Sequence, residues 1–274
     1  MKKLAVKTIV SAVVSVCAMA GAYEVTLDVS SDRVRTPLKV DMECVGTLRP
    51  RGVGENGCPS EMATKFALSG IPWSEYSQAK WDMRRMLGDL GHDVESSVFT
   101  ICDFNHRGRE INLKGLLRIN WDKEVIAVKR AYYAVQNVVS IFDDTLERVK
   151  HSRFGTRDTT LSTYEYKKSD GRRVLVFWTH AADCTKLKPN YSRPGDSFET
   201  RPAVFKYPNG QPFKEPVWID LLTGRVHAFP KERQIVIPAG VVFVDVPVYD
   251  SPCVLTERSA VEITRWTVAV SPTN

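Results

Sequence analysis

Hydrophobic and polar positions change period several times along this chain, and each change marks an element. Tyr23-Glu24-Val25-Thr26-Leu27-Asp28-Val29 alternates apolar and polar residues, the period of a half-buried strand, and Ser30-Ser31-Asp32 ends the run. From Ser74 to Leu90 the period becomes helical. Tyr76, Ala79, Lys80, Met83, Met86, Leu87 and Leu90 share one face, with Arg84, Arg85 and Asp89 on the other. Pro72 stands near the start and Gly91 offers a C-terminal stop. The β-branched and apolar run Ser97–Cys102 predicts a buried strand. Ala131, Tyr132, Val135, Val138, Val139 and Phe142 then predict a second helix over about residues 129–142. Helix, strand and helix in this order point to a parallel βαβ arrangement.

Beyond Arg148 the pattern predicts strands alone. Leu161–Tyr166 and Arg173–Trp178 flank the turn Ser169-Asp170-Gly171, a hairpin signal repeated by Val217–Leu221, Thr223-Gly224 and Arg225–Ala228. Gln234–Pro238, Val241–Val246 and Val261–Thr264 add three more runs. Short strands at regular turn spacing predict an antiparallel β-sandwich, which the alternating run Tyr23–Val29 is expected to join as an added strand. Lys186–Pro216, rich in proline, glycine and charge, reads as a long irregular insertion. The fold class expected is α+β.

The amino terminus changes the picture of where the chain works. Lys2, Lys3 and Lys7 precede an uncharged apolar run, Ile9–Val16, and Ala18-Met19-Ala20 and Ala20-Gly21-Ala22 offer small-residue cleavage sites. Residues 1–22 therefore read as a secretory signal peptide, too short in its apolar part to span a membrane, and the expected destination is secreted or periplasmic. Three lysines leave with it, reducing the formal charge from +6 to +3. So mild a bias argues against a nucleic-acid partner, which would call for a basic stripe. Cys44, Cys58, Cys102, Cys184 and Cys253 are widely spaced, and the five histidines are equally dispersed. Neither a disulfide scaffold, nor a metal site, nor a cofactor is expected.

Four stretches carry a resemblance: Gly54–Ser60, Trp73–Trp81, Lys114-Gly115-Leu116-Leu117 and Ala131–Val138. In this order they resemble the C-terminal part of secreted clan A glycoside hydrolases of the xylosidase and iduronidase group. The Val217–Ala228 and Asp245–Leu255 stretches resemble the sandwich that follows the barrel in those enzymes. The likeness covers roughly residues 52–265. It implies that residues 48–148 are the last two units of a (β/α)8 barrel, that residues 149–274 form the sandwich, and that residues 23–47 hold the added strand and a remnant of the first barrel strand.

The same resemblance makes Glu55 a nucleophile-derived position, exposed by a tight turn at Asn56-Gly57 and with Asn56 beside the sugar; a surface-loop glutamate is the alternative, since Arg49–Gly54 is a poor strand. Retaining hydrolysis pairs an ionised carboxylate with a protonated carboxyl about 5–5.5 Å away. In the family the acid/base glutamate ends the fourth strand, and nothing between Ala22 and Glu55 supplies that unit. Glu43, in Lys39–Gly46, resembles the entry into the first strand. Six units at roughly 30 residues each have no room between there and Glu55. The barrel is therefore expected to be internally shortened. Asp103, Asn105 and His106 follow a predicted strand and are candidates to face a ligand, with loop capping the alternative role for Asp103. Trp73 and Trp81 offer a sugar-stacking face or core side chains, and Tyr132 and Tyr133 read mainly as packing. Two functional readings follow. One is a glycoside-hydrolase-like protein whose partner is an oligo- or polysaccharide. The other is a non-catalytic carbohydrate-binding or remnant sandwich protein. Uncovered barrel edges add an expectation of self-association.

Overall fold

A computed structural model describes residues 52–65, 68–106, 110–179 and 200–261; for residues 52–55 and 106 the description extends to the backbone. The alternating run Tyr23–Val29 and most of the run from Val261 to Thr264 lie outside the described residues.

The described chain begins with a βαβ unit. Strand β1 (Gly52–Asn56) leads through helix α1 (Glu75–Gly91) to β2 (Glu95–Val98), which pairs parallel to β1 with Asn56 opposite Val98. Ser74 caps α1 through a capping box closed by Ser77, a local stop that fixes where the helix begins. Two small antiparallel hairpins follow, β3 (Phe104–His106) with β4 (Glu110–Asn112) and β5 (Leu117–Ile119) with β6 (Val125–Val128). Helix α2 (Arg130–Ile141) completes the helical part.

The remaining strands build two sheets. The larger takes the order β12 (Arg225–Ala228), β11 (Pro216–Asp220), β15 (Cys253–Glu257), β9 (Arg173–Thr179), β8 (Leu161–Lys168) and β7 (Leu146–Arg148). The smaller sets β14 (Gly240–Val248) between β10 (Arg201–Pro208) and β13 (Gln234–Ile237). The fold is α+β: mostly sheet, with two helices among the described residues.

Three layers result, and β9 shows why. Val174, Val176 and Trp178 join one core with Met83 and Leu87 of α1 and Ala134, Val138 and Ile141 of α2. Leu175 and Phe177 point to the opposite side, into a second core with Phe205, Phe243 and Val246 of the smaller sheet. A strand without a polar face must be covered twice, by helices on one side and by a sheet on the other.

Three sequence expectations are corrected by this arrangement. The strand expected at 97–102 is β2, Glu95–Val98; the Phe99 amide donates to the Asn56 carbonyl, the last residue of β1, and the chain then turns to run beside residues 114–117. The Lys186–Pro216 stretch is not irregular throughout, because Arg201–Pro208 forms β10. Ala203, Phe205 and Tyr207 are buried there while Val204 and Lys206 face outward, a period-2 pattern hidden among charges and two prolines on an edge strand. The break placed at Arg148 falls at the end of β7, which already belongs to the six-stranded sheet.

Phe177 is fully buried and packs against Phe154 and Phe205. Phe177→Ala is expected to cost about 3–5 kcal/mol through lost burial and an unfilled cavity, read as a lower urea midpoint at unchanged slope.

Candidate functional site

The polar side chains with chemical potential gather where β1 and β2 end, between α1 and the start of α2. After β2, residues 100–103 run beside residues 114–117: Leu116 donates to Thr100, Leu117 to Ile101 and Asp103 to Leu117. This close approach depends on Gly115, since a Cβ there would sit 1.9 Å from the Asp103 amide nitrogen. Gly57 has the same role below it, facing the Phe99 carbonyl oxygen at 1.9 Å from a built Cβ.

Asp103 is the centre of the arrangement. Its Oδ1 accepts from Lys129 Nζ at 2.5 Å and from the Gly115 amide at 2.9 Å, and Lys129 also donates to the Leu113 carbonyl at 3.0 Å. Both side chains are 0 % exposed. Lys129 occupies the cap position of α2, so the ion pair ties that helix to the 113–115 loop and to the segment leaving β2. Burial pushes the Asp103 carboxyl up and the Lys129 ammonium down, and the opposite charge of each partner resists both shifts.

A second polar group lies beside this pair. Gln78 of α1 donates through Nε2 to the Lys114 and Gly115 carbonyls, both at 3.2 Å. One turn later Asp82 is 1 % exposed, and neither carboxyl oxygen has a hydrogen-bond partner within normal limits. Burial drives the Asp82 pKa well above the usual carboxylate range, more strongly than the Cys58 amide, Lys129 and Lys114 draw it down. The neighbouring Cys58 thiol is pushed up by burial and by Asp82, which removes thiolate character and with it nucleophilicity.

The candidates from the sequence fall on several elements. Glu55 is the penultimate residue of β1. Asn56 is buried and its amide reaches Asp89 of α1 at 3.4 Å. Trp73 is 6 % exposed, with its indole N–H donating to the Leu68 carbonyl at 2.9 Å, so it is packed ahead of α1. Asn105 and His106 lie on β3, opposite Ile111 and Glu110. The residues missed by sequence reasoning are Gln78, Asp82 and Lys129. Gln78 and Asp82 each precede an apolar-face residue of α1 by one position, and that spacing is the available signal for a helix buried over a wide arc. Lys129 gives no such signal, because its partner is 26 residues away. Among the described residues, no group of three or more His, Cys, Asp or Glu is placed to hold a metal ion.

Two outcomes follow. Lys129→Met leaves a buried carboxylate without its countercharge and is expected to cost about 3–5 kcal/mol, whereas Lys129→Met with Asp103→Leu is expected to recover most of that loss; chemical denaturation measures both. Asp82 holds its proton in the fold to a higher pH than in the unfolded chain. Its contribution is neutral in acid, becomes destabilising as pH rises through the unfolded value of about 3.9, and levels off above the raised folded value. Asp82→Asn should flatten that decline and raise the melting temperature at neutral pH, with little change in acid.

No protein-family model and no curated protein matches the chain. Among solved structures, the chain is similar to the catalytic domain of GH30 xylanase C from Talaromyces cellulolyticus, at 12 % identity and a TM-score of 0.41 over 75 % of this chain and 40 % of that one. It is also similar to the GH51 arabinofuranosidase from Xanthomonas axonopodis pv. citri, at 12 % identity and a TM-score of 0.36 over 74 % of this chain and 40 % of that one. The chain spans about two fifths of the length of each. Both scores lie below 0.5, so the functional reading rests on the residues of the chain itself.

Proposed function

We propose that this chain is an exported, glycoside-hydrolase-like protein built on an internally shortened barrel, and that it does not hydrolyse natural glycans. The resemblance of Gly54–Ser60, Trp73–Trp81 and Ala131–Val138 to clan A enzymes supports the relationship. So does the chain order, in which a parallel βαβ unit with Glu55 near the end of its first strand precedes helix α2 and two packed antiparallel sheets. Export is inferred from the apolar run that follows Lys2, Lys3 and Lys7 and lies ahead of Ala22. Among the described residues no helix is long and apolar enough to cross a membrane.

One observation carries the catalytic half of the proposal: the Asp103 carboxyl is closed into its pair with Lys129 at 0 % exposure. A glycosidase acid must meet the leaving oxygen, and proton donation typically supplies about 10²–10⁴-fold in rate. A carboxylate bonded to a buried ammonium meets no leaving group. Burial raises the Asp82 pKa, which favours its protonated form, but that carboxyl is equally enclosed. The second reading, carbohydrate binding without turnover, is favoured by the same closure, since binding needs no acid.

The test is hydrolysis of aryl glycosides with activated leaving groups beside natural oligosaccharides, with binding of those oligosaccharides followed by calorimetry. Any turnover is expected on the activated substrates alone and is expected to vanish in Glu55→Gln. Robust hydrolysis of an unactivated oligosaccharide, abolished by Glu55→Gln, would overturn the proposal. Heat of binding without turnover would select the second reading.

A further inference from the structure

Apolar side chains left in solvent gather mainly at two places on the described chain, and the charges around them differ. The β5–β6 hairpin, fixed at its root by the Lys129 amide on the Leu116 carbonyl, exposes Trp121, Val125, Ile126 and Val128. Asp122, Lys123 and Glu124 lie beside them and leave no positive excess. The smaller sheet exposes Val204, Ile235, Val236 and Ile237. Its register shows which face they share. Lys206 of β10 lies opposite Val242 of β14, and Val242 lies opposite Ile235 of β13, while Phe205 and Phe243 turn the other way, into the core. Val204, Val242, Ile235 and Ile237 therefore stand on the outer face, with Val236 at the edge strand.

Folding brings unpaired positive charge to this face. The segment from Arg153 to Arg157 runs beside β10, where Gly155 and Lys206 exchange backbone hydrogen bonds of 3.0 and 2.8 Å. Phe154 enters the core between the sheets, while Arg153, Arg157 and Lys206 are exposed. Ladder spacing sets the backbone of each arginine within about 10 Å of Lys206. Among the described residues none of the three has an acidic partner. Every acid of residues 146–173 is already engaged: Glu147 by Lys167, Asp158 by Arg201, Glu165 by Arg173 and Asp170 by Arg172. At the far side of the face Lys231 and Arg233 are balanced by Glu232 and Asp245.

We propose that this face docks on an anionic lipid surface. The acyl boundary of a bilayer accepts the valine and isoleucine side chains, and its anionic headgroups meet the three unpaired cations. The same observations disfavour other occupants. A second copy would bring a second positive excess to the contact. An acidic polysaccharide would meet the charges but leave the aliphatic side chains uncovered, since the face carries no aromatic ring on which a sugar could stack. Attachment of this kind is peripheral, and salt weakens it.

Cosedimentation of the full chain with phosphatidylcholine vesicles, with and without about 30 % phosphatidylglycerol, measures the docking. Binding should require the anionic lipid and fall as salt is raised. Lys206→Glu reverses one charge and should weaken it roughly thirtyfold, whereas Lys206→Arg should retain it. Ile235→Ser should weaken it roughly tenfold through lost apolar burial. Hydrogen exchange locates the contact independently of the amino-terminal lysines: the anionic vesicles should protect residues 153–157 and 231–237. A surface that held the chain by charge alone, as an acidic polysaccharide would, leaves Ile235→Ser binding unchanged, and that result would overturn the proposal. Equal binding to neutral vesicles, an undiminished Lys206→Glu chain, protection confined to other segments, or protection of these residues by self-association without vesicles would overturn it as well.

Discussion

The constraint on which the rest of the structure depends is that the six-stranded sheet has no polar face at its centre. On β9 the residues Val174 to Phe177 are all fully buried, and on β15 Cys253, Val254 and Leu255 are too. A strand alternates sides by geometry, so apolar residues at consecutive positions require cover from both directions. The smaller sheet supplies one cover, through Phe205, Phe243 and Val246. The two helices supply the other. In this way α1 and α2 complete the core of the sheet.

Polar contacts then fix how the helices sit on that sheet. Lys80 is 1 % exposed on the sheet side of α1 and meets Asp250 at 2.6 Å, while Arg84 donates to the Asp250 carbonyl. Tyr249 lies under the same ammonium and donates to Asp220 at 2.6 Å. Asn137 of α2 donates to the Leu221 carbonyl. Arg148 of β7 reaches the Gly91 carbonyl at the end of α1. Polar contacts of this kind add little net stability, but their geometry favours particular docking positions among those the apolar surfaces would accept.

The same economy shapes the chemistry. A group useful in catalysis must be both tuned and reachable, and here Asp103, Lys129, Asp82 and Cys58 are tuned by burial yet enclosed by it. Their perturbed acidity belongs to a polar interior that joins the β1–β2 strand ends to both helices. The reachable features lie elsewhere, above all on the β5–β6 hairpin, where apolar residues face solvent on a rigid support.

By itself, the sequence determined the elements whose cause is local. The 3.6-residue period and the Ser74 cap mark α1, the apolar spacing from Ala131 to Phe142 marks α2, and Asp170-Gly171 and Thr223-Gly224 mark two hairpin turns of the larger sheet. These signals act over one turn of helix or one pleat, so they can be read from neighbours alone. The tertiary structure decided whatever depends on residues far apart in the chain. It ended β2 at Val98, where β1 runs out of partners, and made a strand of Arg201–Pro208 because β14 offers an edge. It also turned Asp103 inward, since only folding brings Lys129 and Gly115 within hydrogen-bond distance of a carboxylate that the sequence alone leaves between facing a ligand and capping a loop.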